Sequence, residues 1–199
     1  DNPGRECGVG CYPRRSGDDE IRTLTGTIYW ATGAYAALAS AIHLYTAGYG
    51  VFEPRIQRSM HLLFLVPLVF LAFPFNQKSP RHRPSGPDWI WATMAWLGSA
   101  YLIWDHSRLD HRWEGASPVL PVEVVLGSMM AVLIIEGCRR SLSPWMALTI
   151  SLSLVYLATS QWIPGLFNFK GYTFPRMVEF VYLAGDEGMY GFLTGISAN

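Results

Sequence analysis

Long apolar segments alternate with short charged stretches along the chain. The first apolar segment runs from about Leu24 to Tyr45 and contains no Asp, Glu, Lys or Arg. A helix of about 20 apolar residues crosses the ~30 Å hydrocarbon core of a membrane, because each residue rises 1.5 Å. This segment therefore predicts a transmembrane helix, and its many alanines and glycines favour close packing against other helices.

Four further apolar segments follow, over residues 60–75, 89–104, 122–138 and 144–163. The second is short and contains Pro67 and Pro74, so we expect the flanking Arg58 to reach from it toward the membrane surface. Asp88 precedes the third segment at the position of a helix N-cap residue. Pro144 opens the fifth segment, where the first turn of a helix tolerates proline.

The pattern changes beyond Gly171. A set of apolar residues recurs there at helical spacing: Phe174, Met177, Val178 and Val181. Arg176 and Glu179 fall on other faces of the same helix. This arrangement predicts a short amphipathic helix that lies at the membrane interface rather than crossing the membrane.

These segments together predict an all-α integral membrane protein. We expect a small domain of four packed helices, a fifth connecting transmembrane helix and the short interfacial helix. The predicted divisions are a polar tail at 1–22, the four-helix domain at 23–141, the connecting and interfacial helices at 142–184, and the start of a further domain at 185–199. We expect the natural sequence to continue past Asn199, because the chain ends within an apolar run.

Composition and charge fit this prediction. Hydrophobic residues make up 50% of the chain and charged residues only 15%, which argues against a disordered chain. Lys and Arg together equal Asp and Glu at 15 each, so the chain lacks the basic excess of a nucleic-acid-binding protein. The predicted inner segments carry more Lys and Arg than the outer ones, which places the N-terminus in the cytoplasm.

Two groups of polar residues could carry chemistry. His106 and Asp110 would share one helix face, and His111 follows them, so these three residues could contribute to a metal site. The simpler interpretation is an ordinary polar loop between two helices. Glu136 can reach Arg139 and Arg140 at spacings of three and four residues, and we interpret this group as an anchor at the cytoplasmic headgroups rather than as a functional site.

Two histidines stand singly in apolar segments. His43 lies near the end of the first segment and His61 near the start of the second. An ionisable residue within a membrane helix is a candidate for proton transfer. We favour hydrogen-bonded packing for both residues.

Several stretches carry a resemblance to a known family. They are LYTAGYG at 44–50, Gln57-Arg58, His61-Leu62, Asp88-Trp89, EVVLG at 123–127, IEGCRR at 135–140 and EGMYGFLTGISA at 187–198. In their order and spacing they are similar to the fused permease subunits of tripartite ATP-independent periplasmic (TRAP) transporters, in the branch whose binding protein is of the TAXI type. The resemblance covers roughly residues 40 to 199.

The resemblance implies a role in solute uptake. Such permeases import organic acids and related solutes, driven by an ion gradient that is usually of sodium, and a periplasmic solute-binding protein delivers the solute. A small domain supports a large domain in the same chain that holds the ion and solute sites. The chain would then be a multi-pass protein of the bacterial or archaeal cytoplasmic (inner) membrane, in contact with lipid and without nucleic-acid partners.

This reading places the sodium and solute sites beyond Asn199. We therefore expect no catalytic, cofactor-binding, metal-binding or solute-binding residue in the chain, and no enzymatic activity. The candidates for structural anchoring are Arg58, Asp88, Glu136, Arg139 and Arg140. Two alternatives remain open: a membrane-embedded metalloenzyme that uses His106, Asp110 and His111, and a stand-alone small membrane subunit that serves only assembly.

Overall fold

The computed structural model describes residues 21–50, 52–76, 79–80, 82–163, 172–185, 188–191 and 194. Within these ranges the chain forms helices and no strands, which confirms the predicted all-α class. The polar tail, apart from residues 21–22, and most of the predicted further domain lie outside the described residues. What the sequence indicates for these two parts of the chain stays a prediction.

The described residues form seven α-helices. They are α1 (Thr27–Tyr49), α2 (Pro54–Ala72), α3 (Gly86–Trp104), α4 (His106–Asp110), α5 (Pro121–Ser141), α6 (Pro144–Thr159) and α7 (Phe174–Val178). A 3₁₀ turn at Ser160–Trp162 extends α6. A π-helical turn at Glu179–Leu183 continues α7, and a 3₁₀ turn follows at Gly188–Tyr190.

Local sequence explains where α2 and α3 begin. Pro54 occupies the first turn of α2, a position that suits proline because the missing N–H would be unpaired there in any case. The helix thus includes charged residues that the apolar pattern assigned to a loop. Helix α3 begins after Ser85, which is the N-cap, and Asp88 is the third residue of the helix, where its side chain completes the capping box. The expectation that Asp88 is itself the cap was wrong.

Helix α2 continues through Pro67. A proline inside a helix leaves the carbonyl group four residues earlier without its usual N–H donor. Here that carbonyl belongs to Leu63, and the hydroxyl of Tyr35 on α1 donates to it over 2.7 Å. This hydrogen bond satisfies the freed backbone group, which is the requirement for a proline within a membrane helix.

The core lies between α2, α3 and α5. Its fully buried side chains include Phe70, Leu102, Met130 and Leu133. Helix α1 packs on α2, and α6 packs on α5. The end of α2 lies beside the residues that precede α1, and the start of α3 lies beside the end of α5, so these helix pairs run antiparallel.

The C-terminal segment, which we define as residues 172–185 and 188–191, packs on this core. Val178, Tyr182 and Leu183 are buried, and the Tyr182 hydroxyl donates to the carbonyl of Gly98 over 2.6 Å. The predicted amphipathic helix is present as α7 and its π-helical continuation. Val178 lies against Gly127 of α5, whereas Phe174 is 59% exposed. The position of this helix at the lipid interface stays a prediction.

Two helices, α2 and α5, are long and apolar enough to cross a membrane. Most of each helix is not buried within the protein, whereas the core helix of a water-soluble protein is mostly buried. Helices α1 and α3 have 23 and 19 residues, but their Trp, Tyr and Gly content lowers their hydropathy. Tryptophan and tyrosine are nevertheless favoured at membrane interfaces.

Large apolar side chains cover the outside of the helices. Those more than half exposed include Trp30, Leu44, Ile90, Leu97, Val125, Trp145, Leu152 and Val155. Together with the length and apolar character of α2 and α5, these exposed side chains suit association with a membrane.

The close approach of the C-terminal segment to α5 depends on Gly127. A methyl group at this position would overlap Val178 and come within 2.9 Å of the Tyr182 Cβ atom. We expect Gly127→Ala to lower the free energy of unfolding by about 1–3 kcal/mol through overpacking. Thermal unfolding in detergent measures this change.

Gly48→Ala is the matched control, because a methyl group at Gly48 meets no atom within 4 Å. The control should leave stability unchanged or raise it slightly, since alanine favours helix more than glycine does. Equal stability of the two variants would show that the segment is not packed against α5 as described.

Candidate functional site

Charged side chains gather in a buried cluster at one end of the helices. This Asp88 cluster comprises Arg22, Asp88, Glu136, Arg139 and Arg140. The carboxylate of Asp88 accepts a hydrogen bond from Arg22 Nη2 at 2.6 Å and another from Arg140 Nη1 at 2.8 Å, and all three side chains are fully buried. One carboxylate therefore links the residues before α1, the start of α3 and the end of α5.

Glu136 extends the Asp88 cluster toward the surface. It accepts hydrogen bonds at 2.7 Å from both Arg139 and Arg140, as the helical spacing predicted. Arg139 is 42% exposed at its side chain, whereas Arg140 is fully buried. The guanidinium of Arg140 also lies 5.0 Å from the ring centres of Phe70 and Phe75, within the range of cation–π attraction.

A second cluster lies where α3 ends and α5 begins. This Glu123 cluster comprises Asp105, Arg108, Arg112, Glu123, Arg176 and Glu179. Glu123 is fully buried and accepts hydrogen bonds from Arg108 and, at 2.7 Å, from the backbone N–H of Leu120. The cluster joins the α4 region to the first turn of α5, at the opposite end of the long helices from Asp88.

Glu179 brings the C-terminal segment into the Glu123 cluster. Its carboxylate accepts hydrogen bonds from Arg112 Nη2 at 2.7 Å, from the N–H of Gly115 at 3.1 Å and from Arg176. The side chains of Arg112 and Glu179 are each only 5% exposed. The polar side of α7 is thus engaged by protein, and Glu179 does not face solvent.

Asp105 lies at the outer edge of the Glu123 cluster. The hydrogen bond from Arg108 Nε, at 2.8 Å, holds the pKa of Asp105 below its usual value against the opposing effect of partial burial. The pKa of Arg108 is raised by its hydrogen bonds to Asp105 and Glu123. These groups are charged near neutral pH and act as a paired network.

Two arginines of α2 bind the C-terminal segment directly. Arg55 donates to Asp110 Oδ1 at 2.8 Å and to the carbonyl of Leu183 at 2.6 Å. Arg58 donates to the carbonyl groups of Gly185 and, at 3.2 Å, Tyr190. Arg58 thus donates to partly buried carbonyl groups within the protein, and its position at the membrane surface stays a prediction.

The predicted metal-binding residues are not assembled into a metal site. Asp110 binds Arg55, while His106 Nδ1 and His111 Nδ1 contact the carbonyl groups of Ile103 and Ser107 in their own region of the chain. Among the residues that the structure describes, no group of three or more His, Cys, Asp or Glu is placed to hold a metal ion. The donor set that the metalloenzyme alternative requires is therefore not present in this part of the chain.

His43 and His61 form a pair that their separate positions did not predict. His43 Nε2 lies 2.9 Å from His61 Nδ1, and His43 Nδ1 lies 2.7 Å from the carbonyl oxygen of Ala39. A carbonyl oxygen only accepts, so Nδ1 of His43 carries a proton. In the neutral pair, Nε2 of His43 then accepts from Nδ1–H of His61, which links α1 to α2.

Several residues that stand far apart in the sequence meet in these contacts. Gln57 Nε2 donates to Thr46 Oγ1 at 3.0 Å. Arg140 meets Asp88, and Arg58 meets Tyr190. Each of these residues belongs to one of the sequence stretches described above, so those stretches contact one another in three dimensions.

Comparison of the chain with protein families, curated proteins and solved structures gives no match.

The adjacent Arg139 and Arg140 allow a matched test of the Asp88 cluster. We expect Arg140→Ala to lower the free energy of unfolding by about 3–5 kcal/mol, because it removes one partner of a buried ion pair. Arg139→Ala should cost at most about 1 kcal/mol, because its ion pair is exposed to solvent. Thermal unfolding of the two purified variants provides the comparison, and equal losses would contradict the structural difference between the two side chains.

Proposed function

We propose that the chain is the small-domain scaffold of a secondary-active solute importer of the TRAP type, together with its connecting helix and the first residues of its transport domain. The importer would take up organic acids or related solutes with an ion gradient, of sodium in the usual case. A periplasmic solute-binding protein would deliver the solute. The proposed location is the bacterial or archaeal cytoplasmic membrane, with the N-terminus in the cytoplasm.

The observation that carries this proposal is the contact between the stretches on which the family resemblance rests. Thr46 meets Gln57, Asp88 meets Arg140, and Arg58 meets Tyr190. Residues that serve one structural role together are expected to be retained together. The stretches that carry the resemblance thus contact one another in pairs in the folded chain.

The positions of the charges favour several membrane crossings. The Asp88 cluster joins the starts of α1 and α3 to the end of α5, and Arg140 and Arg22 also approach carbonyl groups at the end of α2. The Glu123 cluster lies at the other end of α3 and α5. Helix α2, with 19 residues, is about 28 Å long, close to the ~30 Å of a hydrocarbon core. This spacing suits four helices that cross with both clusters at the headgroups.

The four long helices favour a scaffold over a solute site. Secondary transporters bind solutes near the membrane midplane, where interrupted helices expose backbone groups. Helices α1, α2, α3 and α5 run without interruption through the described residues. The charged clusters lie at their ends, so the proposed ion and solute sites belong to the large domain.

The way in which the C-terminal segment is bound favours a scaffold role for the helices. Arg55, Arg58, Arg112 and the Tyr182 hydroxyl fix this segment to α2, α3 and the α4 region. In a fused permease the segment would lead into the large domain. A firmly bound segment would give a moving domain a fixed point of attachment.

The DNA downstream of the Asn199 codon tests the fused-permease proposal. We expect an open reading frame that continues for several hundred residues and encodes further apolar segments, because the proposed ion and solute sites need that length. A stop codon directly after Asn199 would contradict the fusion. It would favour the alternative of a stand-alone membrane subunit that serves assembly.

Cysteine labelling tests the proposed topology. In a background with Cys7, Cys11 and Cys138 replaced by Ser, we expect Ala116→Cys to react with a membrane-impermeant maleimide in intact cells. Asn76→Cys should react only after the membrane is permeabilised, because it lies at the Asp88 end of the helices. Both positions are exposed in the structure. Labelling of both from outside would overturn the proposed multi-pass topology.

A further inference from the structure

Helix α1 is held on the protein mainly by polar contacts with α2. Of its 23 residues, only Ala39 and Thr46 are buried, and its principal packing partner is α2. With so little apolar surface covered, the hydrogen bonds between the two helices decide how firmly α1 is attached. They join Tyr35 to the carbonyl of Leu63, Gln57 to Thr46, and His43 to His61.

The contact between the two histidines differs from the others, because histidine changes its charge between about pH 5 and pH 8. The two rings lie 5.1 Å apart from centre to centre, at 71° to each other. His43 Nδ1 is occupied by the carbonyl oxygen of Ala39 at 2.7 Å, so that only Nε2 of His43 can face His61 Nδ1, at 2.9 Å. Both side chains are partly buried.

The number of protons on the pair decides whether this contact exists. In the neutral pair, Nδ1–H of His61 donates to the bare Nε2 of His43. One added proton leaves one N–H group and one bare nitrogen facing each other, whichever ring carries the charge, so the hydrogen bond is kept. A second added proton places N–H groups on both facing nitrogens, and the two positive rings then repel each other.

The other titratable and charged groups on the neighbouring elements have partners of their own. On α1, Tyr35 donates to a backbone carbonyl and Tyr45 stacks on the next tyrosine. At the start of α2, Arg55 binds Asp110, beside which Glu53 also lies.

On the remaining sides of α2, Arg58 donates to carbonyl groups of the C-terminal segment, and the Tyr190 hydroxyl lies 3.3 Å from Ser99 Oγ. The acids of α3 and α5 at this end belong to the Glu123 cluster, where arginines bind them. In the part of the chain that the structure describes, none of these contacts places a carboxylate against the two rings to offset a second charge.

We propose that the His43–His61 pair is a pH-sensitive contact that holds α1 on α2 with no added proton or with one, and releases it when both rings are charged. The inference rests on the contact itself and does not require the transport role. On the proposed topology, the pair lies in the outward halves of the two helices, so external acid would act on it.

Nitrogen NMR of the full chain in detergent, with isotope-labelled histidine, tests the proton count. Ring nitrogen shifts distinguish an N–H group from a bare nitrogen. We expect the pair to take up its two protons in steps separated by more than about 1 pH unit, because the two sites interact. His82 is the internal control, since it is exposed and its ring has no hydrogen-bond partner among the described residues. It should titrate in one step.

Spin-label distance measurements test the release of α1. Labels are placed at Leu44→Cys on α1 and Val125→Cys on α5, which are 74% and 66% exposed, with the three native cysteines replaced by Ser. We expect one narrow distance distribution at about pH 8 and a broader, longer one at about pH 4.5, on either side of the usual histidine range.

His61→Asn is the decisive variant for this experiment. The asparagine Nδ2–H group can replace Nδ1–H as the donor to His43, but asparagine takes up no proton, so a doubly charged pair cannot form. We expect its distance distribution to stay narrow at both pH values. His82→Asn is the matched control and should broaden in acid like the unsubstituted protein. His43→Gln, whose side-chain oxygen can accept from His61, serves as a second variant if His61→Asn does not fold.

Three results would overturn the proposal. The first is a one-step titration of both rings like that of His82. The second is a distribution that stays narrow in the unsubstituted protein after NMR shows both rings protonated. The third is equal broadening in acid of His61→Asn and the unsubstituted protein, which would assign the acid response to other groups. Both methods use protein in detergent, so their outcome is independent of the proposed topology and transport role.

Discussion

The buried carboxylate of Asp88 joins three parts of the helical structure at one point. A charge removed from water is tolerated only with a partner and further hydrogen bonds, and Asp88 obtains these from Arg22, Arg140 and Ser85. Arg22 precedes α1, Ser85 precedes α3, and Arg140 lies in the last turn of α5. Apolar faces in a lipid surrounding can slide past one another at little cost, so an ion pair of fixed geometry sets the axial position of each helix.

Buried ion pairs in the Glu123 cluster likewise fix the position of the C-terminal segment. Arg112 is shared between Glu123 on α5 and Glu179 beyond α7, and Tyr182 packs over Gly127 where a larger residue would not fit. Charge and shape therefore fix the same segment at neighbouring points. This double attachment explains why α7 lies on α5, although its pattern of apolar residues also suits a lipid surface.

Contacts within one helix could be predicted from the sequence, and contacts between helices could not. Glu136 meets Arg139 and Arg140 because a helix places residues three and four apart on one face. The pairing of His43 with His61 depends on how α1 and α2 are rotated and aligned, which periodicity does not specify. The start of α2 was missed for a related reason. Arg55 and Arg58 carry charge ahead of the second apolar segment, yet Arg55 pairs with Asp110 and Arg58 donates to backbone carbonyl groups within the protein, so the helix includes both.

The depth at which polar groups lie along the helices distinguishes a helix that lines a solute path from one that supports other helices. Pro67 interrupts the backbone hydrogen bonds of α2 at a depth where a transporter could expose a carbonyl group to a solute, but Tyr35 donates to that carbonyl. The described charged clusters lie toward the helix ends. A conducting helix needs polar groups available at mid-depth, whereas a supporting helix needs them satisfied. The hydrogen bond from Tyr35 thus favours a supporting role for these helices.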